Sequence, residues 1–243
     1  MKNKSIYFKV LVIGIMAIVF LGFLAAAIID IVNTPYSQPQ IPMVGKIAFQ
    51  MKSVVDVQSG DGACSGWVLA GEHRIITAEH CLDYDEKAST GIVLVQFGSG
   101  LPIPFFVIAK GDRLEVSGPD IAILATSDTE IKWPDGFKIC NEDAVVGESV
   151  HMLANPLQHG MGVTFGHISS VSDDLSGDIL GKYADHMIRY DGTIYHGQSG
   201  GAVIDDEKGC VIGMGELEAH DNFVAAISYL TPAKDLEKIG RKL

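Results

Sequence analysis

Positive charge is scarce in this sequence: 18 Lys and Arg stand against 30 Asp and Glu, a formal net charge of −12 over 243 residues. Three of the cations, Lys2, Lys4 and Lys9, fall in the first 33 residues beside one acid, Asp30, which leaves 15 basic against 29 acidic residues in the rest. A domain of that sign repels a phosphate backbone, so nucleic acid is not expected as a partner. Metal-ligand spacing is missing too. No CxxC and no HExxH occurs, and the histidines are not spaced as ligands, so neither a metal nor another cofactor is expected. With 47% hydrophobic residues, 27 Gly and 9 Pro, the composition excludes disorder, collagen and a pure coiled coil.

One long apolar run is present. Val10 to Ile29 (VLVIGIMAIVFLGFLAAAII) holds no charge over 20 residues, and at about 1.5 Å of rise each these reach about 30 Å, the hydrocarbon thickness of a bilayer. The lysines before it keep the N-terminus in the cytoplasm and export the rest of the chain. Residues 1–32 therefore read as a cytoplasmic stub and single-pass transmembrane anchor. Ala25 and Ala27 form a small-x-small site, so a cleaved signal peptide is the alternative; both place the domain on the exported side, periplasmic or extracellular. Residues 33–42 (NTPYSQPQIP) read as a Pro-rich extended spacer, with the folded domain at 43–243. Four cysteines in an exported chain are expected to pair, with three connectivities open.

From Met43 onward the chain is a series of short β-rich runs punctuated by Gly, Asp and Pro. They are Val54–Val57, Cys64–Leu69, Arg74–Thr77, Ile92–Phe97, Ile103–Ala109 and Ile121–Ala125, then Ser149–Leu153, Gly162–Ser169, His186–Tyr190, Gly201–Ile204, Cys210–Met214 and Phe223–Tyr229. Many short strands with glycine turns indicate an all-β antiparallel barrel or sandwich, divided loosely around Ser127 to Glu142. One helix is expected, at the C-terminus, capped by Thr231 with Pro232 at its first position.

Three local patterns carry chemistry: Thr77-Ala78-Glu79-His80-Cys81, Asp120-Ile121-Ala122-Ile123-Leu124 and Gly197-Gln198-Ser199-Gly200-Gly201. Each is commonplace alone. Together, in the order His, Asp, Ser and each beside an expected strand, they supply the base, the orienting acid and the nucleophile that acyl transfer needs. The last pattern also fits the nucleophile elbow of an α/β-hydrolase, but that fold needs an acid and then a histidine after the serine. Only 44 residues follow Ser199, with His220 the sole histidine among them.

On these motifs the chain resembles the trypsin/chymotrypsin-like serine proteases. It is most similar to the bacterial HtrA-type and glutamyl-endopeptidase-type branches, without a PDZ domain. Val146-Gly147-Glu148-Ser149-Val150, Asn155-Pro156-Leu157 and Val163 to Ser169 add to the likeness. The resemblance implies two six-stranded antiparallel barrels, about 43–130 and 140–230, with the cleft between them. It implies His80 as general base, Asp120 as the acceptor that fixes its tautomer, Ser199 as nucleophile, and an oxyanion hole made by the N–H groups of Gly197 and Ser199. The substrate would be a protein or peptide. A silent protease-fold binding or scaffold protein of the cell envelope is the alternative. The resemblance also implies a Cys64–Cys81 bridge; Cys140 and Cys210 are then expected to form a second by elimination, with Cys210, 11 residues beyond Ser199, at no matched family position.

Departures from the family pattern carry information. Glu79 stands where relatives hold a small residue, and is expected to face solvent. Gln198 replaces the aspartate that pairs with a newly cut N-terminus in digestive relatives, so zymogen cleavage is not expected. Thr193 stands where trypsin-type enzymes keep an aspartate, so a preference for Lys or Arg is not supported. Thr193, Ile194 and Glu216 are the expected pocket residues, with Tyr195, His196 and Glu218 near them.

Overall fold

The computed structural model describes residues 41–60, 62–82, 91–111, 119–171, 187–221 and 224–240. The run Val10–Ile29 and most of the spacer lie outside them; among the described residues no helix is long and apolar enough to cross a membrane. The chain divides into two units at Gly45, and the second, Lys46–Leu243, carries every described strand.

Among the described residues twelve strands form, where the twelve runs were expected. The first six are β1 (Val54–Ser59), β2 (Gly62–Leu69), β3 (Arg74–Thr77), β4 (Ile92–Phe97), β5 (Ile103–Lys110) and β6 (Ala122–Ala125). The second six are β7 (Ser149–Ala154), β8 (Gly162–Ser170), β9 (Ile188–Tyr190), β10 (Ala202–Asp205), β11 (Val211–Asp221) and β12 (Val224–Pro232). They close into two antiparallel barrels, ordered β1-β2-β3-β6-β5-β4 and β7-β8-β9-β12-β11-β10. The order repeats from one barrel to the other, although the sequence shows no repeat of fixed period. Closure pairs every strand on both sides, so neither barrel leaves a hydrogen-bonding edge open.

Alternation fills the interiors. Val55 and Val57 of β1 and Val93 and Val95 of β4 turn inward onto Phe105 and Leu124 in the first barrel. Val150, Met152 and Ala154 of β7 do the same against Tyr190 and Leu230 in the second. Each valine, leucine, methionine or phenylalanine there stabilises the fold by about 1.5–3 kcal/mol if fully removed from water, so either row outweighs any single polar contact in its barrel. Two bridges lock the loops to these cores: Cys64–Cys81, with Cα atoms 6.0 Å apart, and Cys140–Cys210, at 5.1 Å.

Both ends of the domain differ from the sequence reading. A helix, α1 (Ile41–Gln50), occupies the end of the expected spacer. Pro42 is tolerated because first-turn N–H groups have no intrahelical acceptor. Ile47 and Gln50, three apart and on one face, are buried. Gln50 meets the Nε2 of His151 at 3.1 Å and Lys46 donates to the Asp206 carbonyl at 3.1 Å. At the other end Thr231 and Pro232 cap no helix. They extend β12, pairing with Met214 and Gly213 of β11, and the helix α2 begins only at Asp235 and runs to Gly240. Ladder hydrogen bonds win there, and a proline at a strand end removes no donor the ladder needs.

Candidate active site

Strand register delivers the first pair of side chains. In the β3–β6 ladder Ile75 faces Leu124, Ile76 faces Ile123 and Thr77 faces Ala122. Continuing that antiparallel register brings positions 79–80 opposite 119–120. The chain leaves β3 through the single 3-10 turn Glu79–Cys81. There the His80 backbone N–H donates to Asp120 Oδ1 at 2.7 Å, and Asp120 Oδ2 meets His80 Nδ1. Asp120 is 4% exposed, so its carboxylate has left water and relies on these two partners. Orienting the imidazole by Nδ1 leaves Nε2 as the nitrogen that can exchange a proton.

Ser199 reaches the same place from the second barrel. Its carbonyl accepts the Ser65 N–H of β2 at 2.8 Å and lies 3.9 Å from the sulfur of Cys81, the neighbour of His80. The approach is close enough to demand glycine next: Gly200 has φ +81°, and a Cβ there would sit 2.1 Å from the Ser65 carbonyl oxygen. The Ser199 hydroxyl donates to the Glu216 carbonyl at 3.0 Å.

The turn before Ser199 is fixed group by group. Gln198 N–H donates to the Tyr195 carbonyl at 3.0 Å, and the Gln198 side chain, fully buried, accepts the Tyr195 N–H at 2.7 Å while donating to Thr164 Oγ1 at 3.2 Å. The His196 carbonyl accepts the Leu157 N–H at 2.7 Å. In a trans peptide the N–H points opposite to the C=O, so the Gly197 N–H faces away from Leu157. Gly197 has φ +87°. Neither the Gly197 nor the Ser199 amide donates a hydrogen bond to any described residue.

The supporting loop holds its own strain. Leu157 and Gln158 are consecutive non-glycine residues at φ +53° and +58°, a conformation that costs about 1–3 kcal/mol per residue and persists only where neighbours impose it.

The remaining site residues are less central. Thr193 is exposed, Ile194 packs into the core of the second barrel with its N–H on Ser228 Oγ at 3.2 Å, and Tyr195 and His196 are exposed. Glu216 is half-buried and its carboxylate accepts the Thr231 hydroxyl; the side chain of Glu218 lies outside the described residues. Glu79 does not face solvent as expected. Its side chain is 12% exposed and takes the Lys110 ammonium at 3.1 Å, because β5 ends beside the turn that carries it. Cys64, His80 and Cys81 bring their ligand atoms within 4.8 Å of one another, but both sulfurs are spent in the disulfide and offer no thiolate to a metal.

Sequence reading singles out His80, Asp120, Ser199 and Gly197, and not the groups that hold them in place. Gln198 stands out only for the aspartate it replaces, Asn155 and Leu157 only as family echoes, and Ser65 as one more strand residue. Polar type at a buried strand position, directly after Cys64, is the available signal for Ser65.

Among solved structures the fold is similar to the serine endoprotease from Yersinia pestis, with a TM-score of 0.64 and 20% identity over 84% of this chain and 67% of that one. It is similar also to Rv3671c protease in its inactive form, with a TM-score of 0.62 and 23% identity over 86% of this chain and 98% of that one. A comparison with curated proteins finds no match. The family model for the trypsin-like peptidase domain matches residues 64–214, and the chain belongs to that family.

Proposed function

We propose that this chain is an exported, membrane-tethered serine endopeptidase that cleaves peptide bonds through an acyl-enzyme. The observations that carry the reading are the pairing of a partly exposed His80 with the buried Asp120, the Ser199 carbonyl lying 3.9 Å from the sulfur of Cys81 next to His80, and two backbone amides, Gly197 and Ser199, that donate to no described residue. Rotation of the Ser199 side chain moves its hydroxyl from the Glu216 carbonyl to His80 Nε2. The hydroxyl oxygen then bonds to the scissile carbonyl carbon as its proton passes to Nε2. The carbonyl oxygen becomes an oxyanion that accepts from the Gly197 and Ser199 N–H groups. Collapse expels the amine, which takes the proton back from His80, and water repeats the sequence on the ester. Asp120 holds the imidazole tautomer and stabilises the imidazolium throughout.

The substrate is a protein or peptide. Thr193 supplies no carboxylate for a basic side chain, and no preference for Lys or Arg is proposed. The tether is Val10–Ile29, and the intact mass of the mature protein tests it: a start at or near Ile28 would show a cleaved signal instead. For the activity, casein or peptide hydrolysis is measured with wild type and Ser199→Ala. Turnover that disappears in a variant of unchanged fold supports the reading, and turnover that persists removes it.

A further inference from the structure

We infer that Ser65 is a positioning residue for the oxyanion hole: from the first barrel its hydroxyl holds the Gly197 carbonyl, so that the Gly197 N–H stays aimed into the cleft, and Asn155, tied to Asp56, holds Ser65 in that role. The inference rests on the peptidase reading above.

Two peptide planes meet at Gly197. The plane before it is held by Leu157 N–H on the His196 carbonyl at 2.7 Å, and the plane after it from both sides, by Ser65 Oγ on the Gly197 carbonyl at 2.7 Å and by Gln198 N–H on the Tyr195 carbonyl at 3.0 Å. With both planes fixed, the two backbone torsions of Gly197 are fixed. Glycine needs this more than any other residue, because left to itself it populates positive and negative φ about equally. Its φ of +87° is therefore set by its neighbours rather than by its own preference.

The direction of each bond comes from donor counting. Ser65 is fully buried and its hydroxyl carries one proton. The Asn155 N–H can only donate, and it donates to Ser65 Oγ at 2.8 Å. Ser65 must therefore accept there and spend its proton on the Gly197 carbonyl. Asn155 is fixed in turn: its Nδ2 donates to Asp56 Oδ1 at 2.6 Å and its Oδ1 accepts the Gly160 N–H at 2.8 Å. The series Asp56, Asn155, Ser65, Gly197 alternates between strands of the first barrel and loops of the second. A turn that belongs to the second barrel is thus locked to the first across the seam, where bound substrate would lie.

The test uses the full chain. In Ser65→Ala, kcat is expected to fall about 10- to 100-fold, less than the 10²–10³ of losing a donor outright, with KM within about threefold. Affinity for a peptide aldehyde, whose adduct places an oxyanion in the hole, should fall by the same factor as kcat. Ser65→Thr, which keeps the hydroxyl, should restore both to within about threefold. Asn155→Ala, milder because it spares the backbone donor, should lose about threefold or more in both, and decides the matter if Ser65→Ala fails to fold. A folded Ser65→Ala with unchanged kcat and aldehyde affinity, even at a lower Tm, overturns the clamp while leaving the peptidase intact; so does an unaffected Asn155→Ala where Ser65→Ala does not fold. A wild type that neither hydrolyses peptides nor labels at Ser199 overturns the peptidase reading and the clamp with it.

Discussion

The two halves of the site are made of different material. In the proposed site the first barrel contributes side chains: His80 and Asp120 are joined by two contacts and delivered by the β3–β6 register. The second barrel contributes largely backbone: the proposed oxyanion-hole amides of Gly197 and Ser199, in a turn whose other groups are held by Gln198, Leu157 and Ser65. A side-chain half is written by residue identity and is lost when one residue changes. A backbone half is written by conformation, which several residues share, and should fail by degrees.

The largest expected effect breaks the side-chain half. Asp120→Asn keeps the shape but reverses the hydrogen-bond character opposite His80 Nδ1, so kcat for peptide hydrolysis should fall about 10⁴-fold, near 5 kcal/mol of activation free energy, with Tm little changed. Next in size is the bridge beneath His80. Replacing Cys64 and Cys81 by Ser opens a loop of sequence separation 17 and should cost about 3 kcal/mol in denaturant unfolding. Because Cys81 adjoins His80, activity should fall at temperatures where the fold survives.

A third change serves as a control outside both halves. Asp205, the last residue of β10, is buried, which raises its pKa, but hydrogen bonds from the Lys208 backbone and ammonium and from the Glu207 N–H outweigh that and leave it lowered. A lowered carboxyl stabilises the fold above its ordinary value of 3.8 and loses that contribution as pH falls through its folded value. Asp205→Asn should thus cost about 1–2 kcal/mol at neutral pH, with the gap from wild type closing under acid, and kcat should not move. The smallest effect sharpens the backbone half. Leu157→Gly keeps the N–H that holds the His196 carbonyl and relieves a φ of +53° at a half-exposed side chain. Stability should rise by up to about 1 kcal/mol with activity retained, which would separate the donated hydrogen bond from the strain that accompanies it.

The same contrast explains what is legible in the sequence. The twelve described strands announce themselves as short β-rich runs between Gly, Asp and Pro, and the candidate triad His80, Asp120 and Ser199 is singled out by residue type and order. The supports of those three are not. Leu157 is a poor candidate for positive φ by type, so nothing local marks the loop that braces Gly197. Glu79 and Lys110 are 31 residues apart, and only the path of β5 back to β6 brings them together. The α1 helix is hidden because residues 33–42, Pro42 among them, read as an extended spacer and only Ile47 and Gln50 of its described side chains are buried. Thr231 and Pro232 carry a genuine helix-start signal that pairing with β11 overrides. Local chemistry is readable wherever the local chain decides the outcome, and these exceptions are decided by partners far along the sequence.

The central claim is that Ser199 is an activated nucleophile in a formed site. Treating the folded wild-type chain with a fluorophosphonate probe and mapping the adduct by peptide mass tests it most directly. One adduct per chain, on Ser199, slowed in Asp120→Asn and absent in Ser199→Ala, is the expected result. A folded chain that stays unmodified at Ser199 would contradict it.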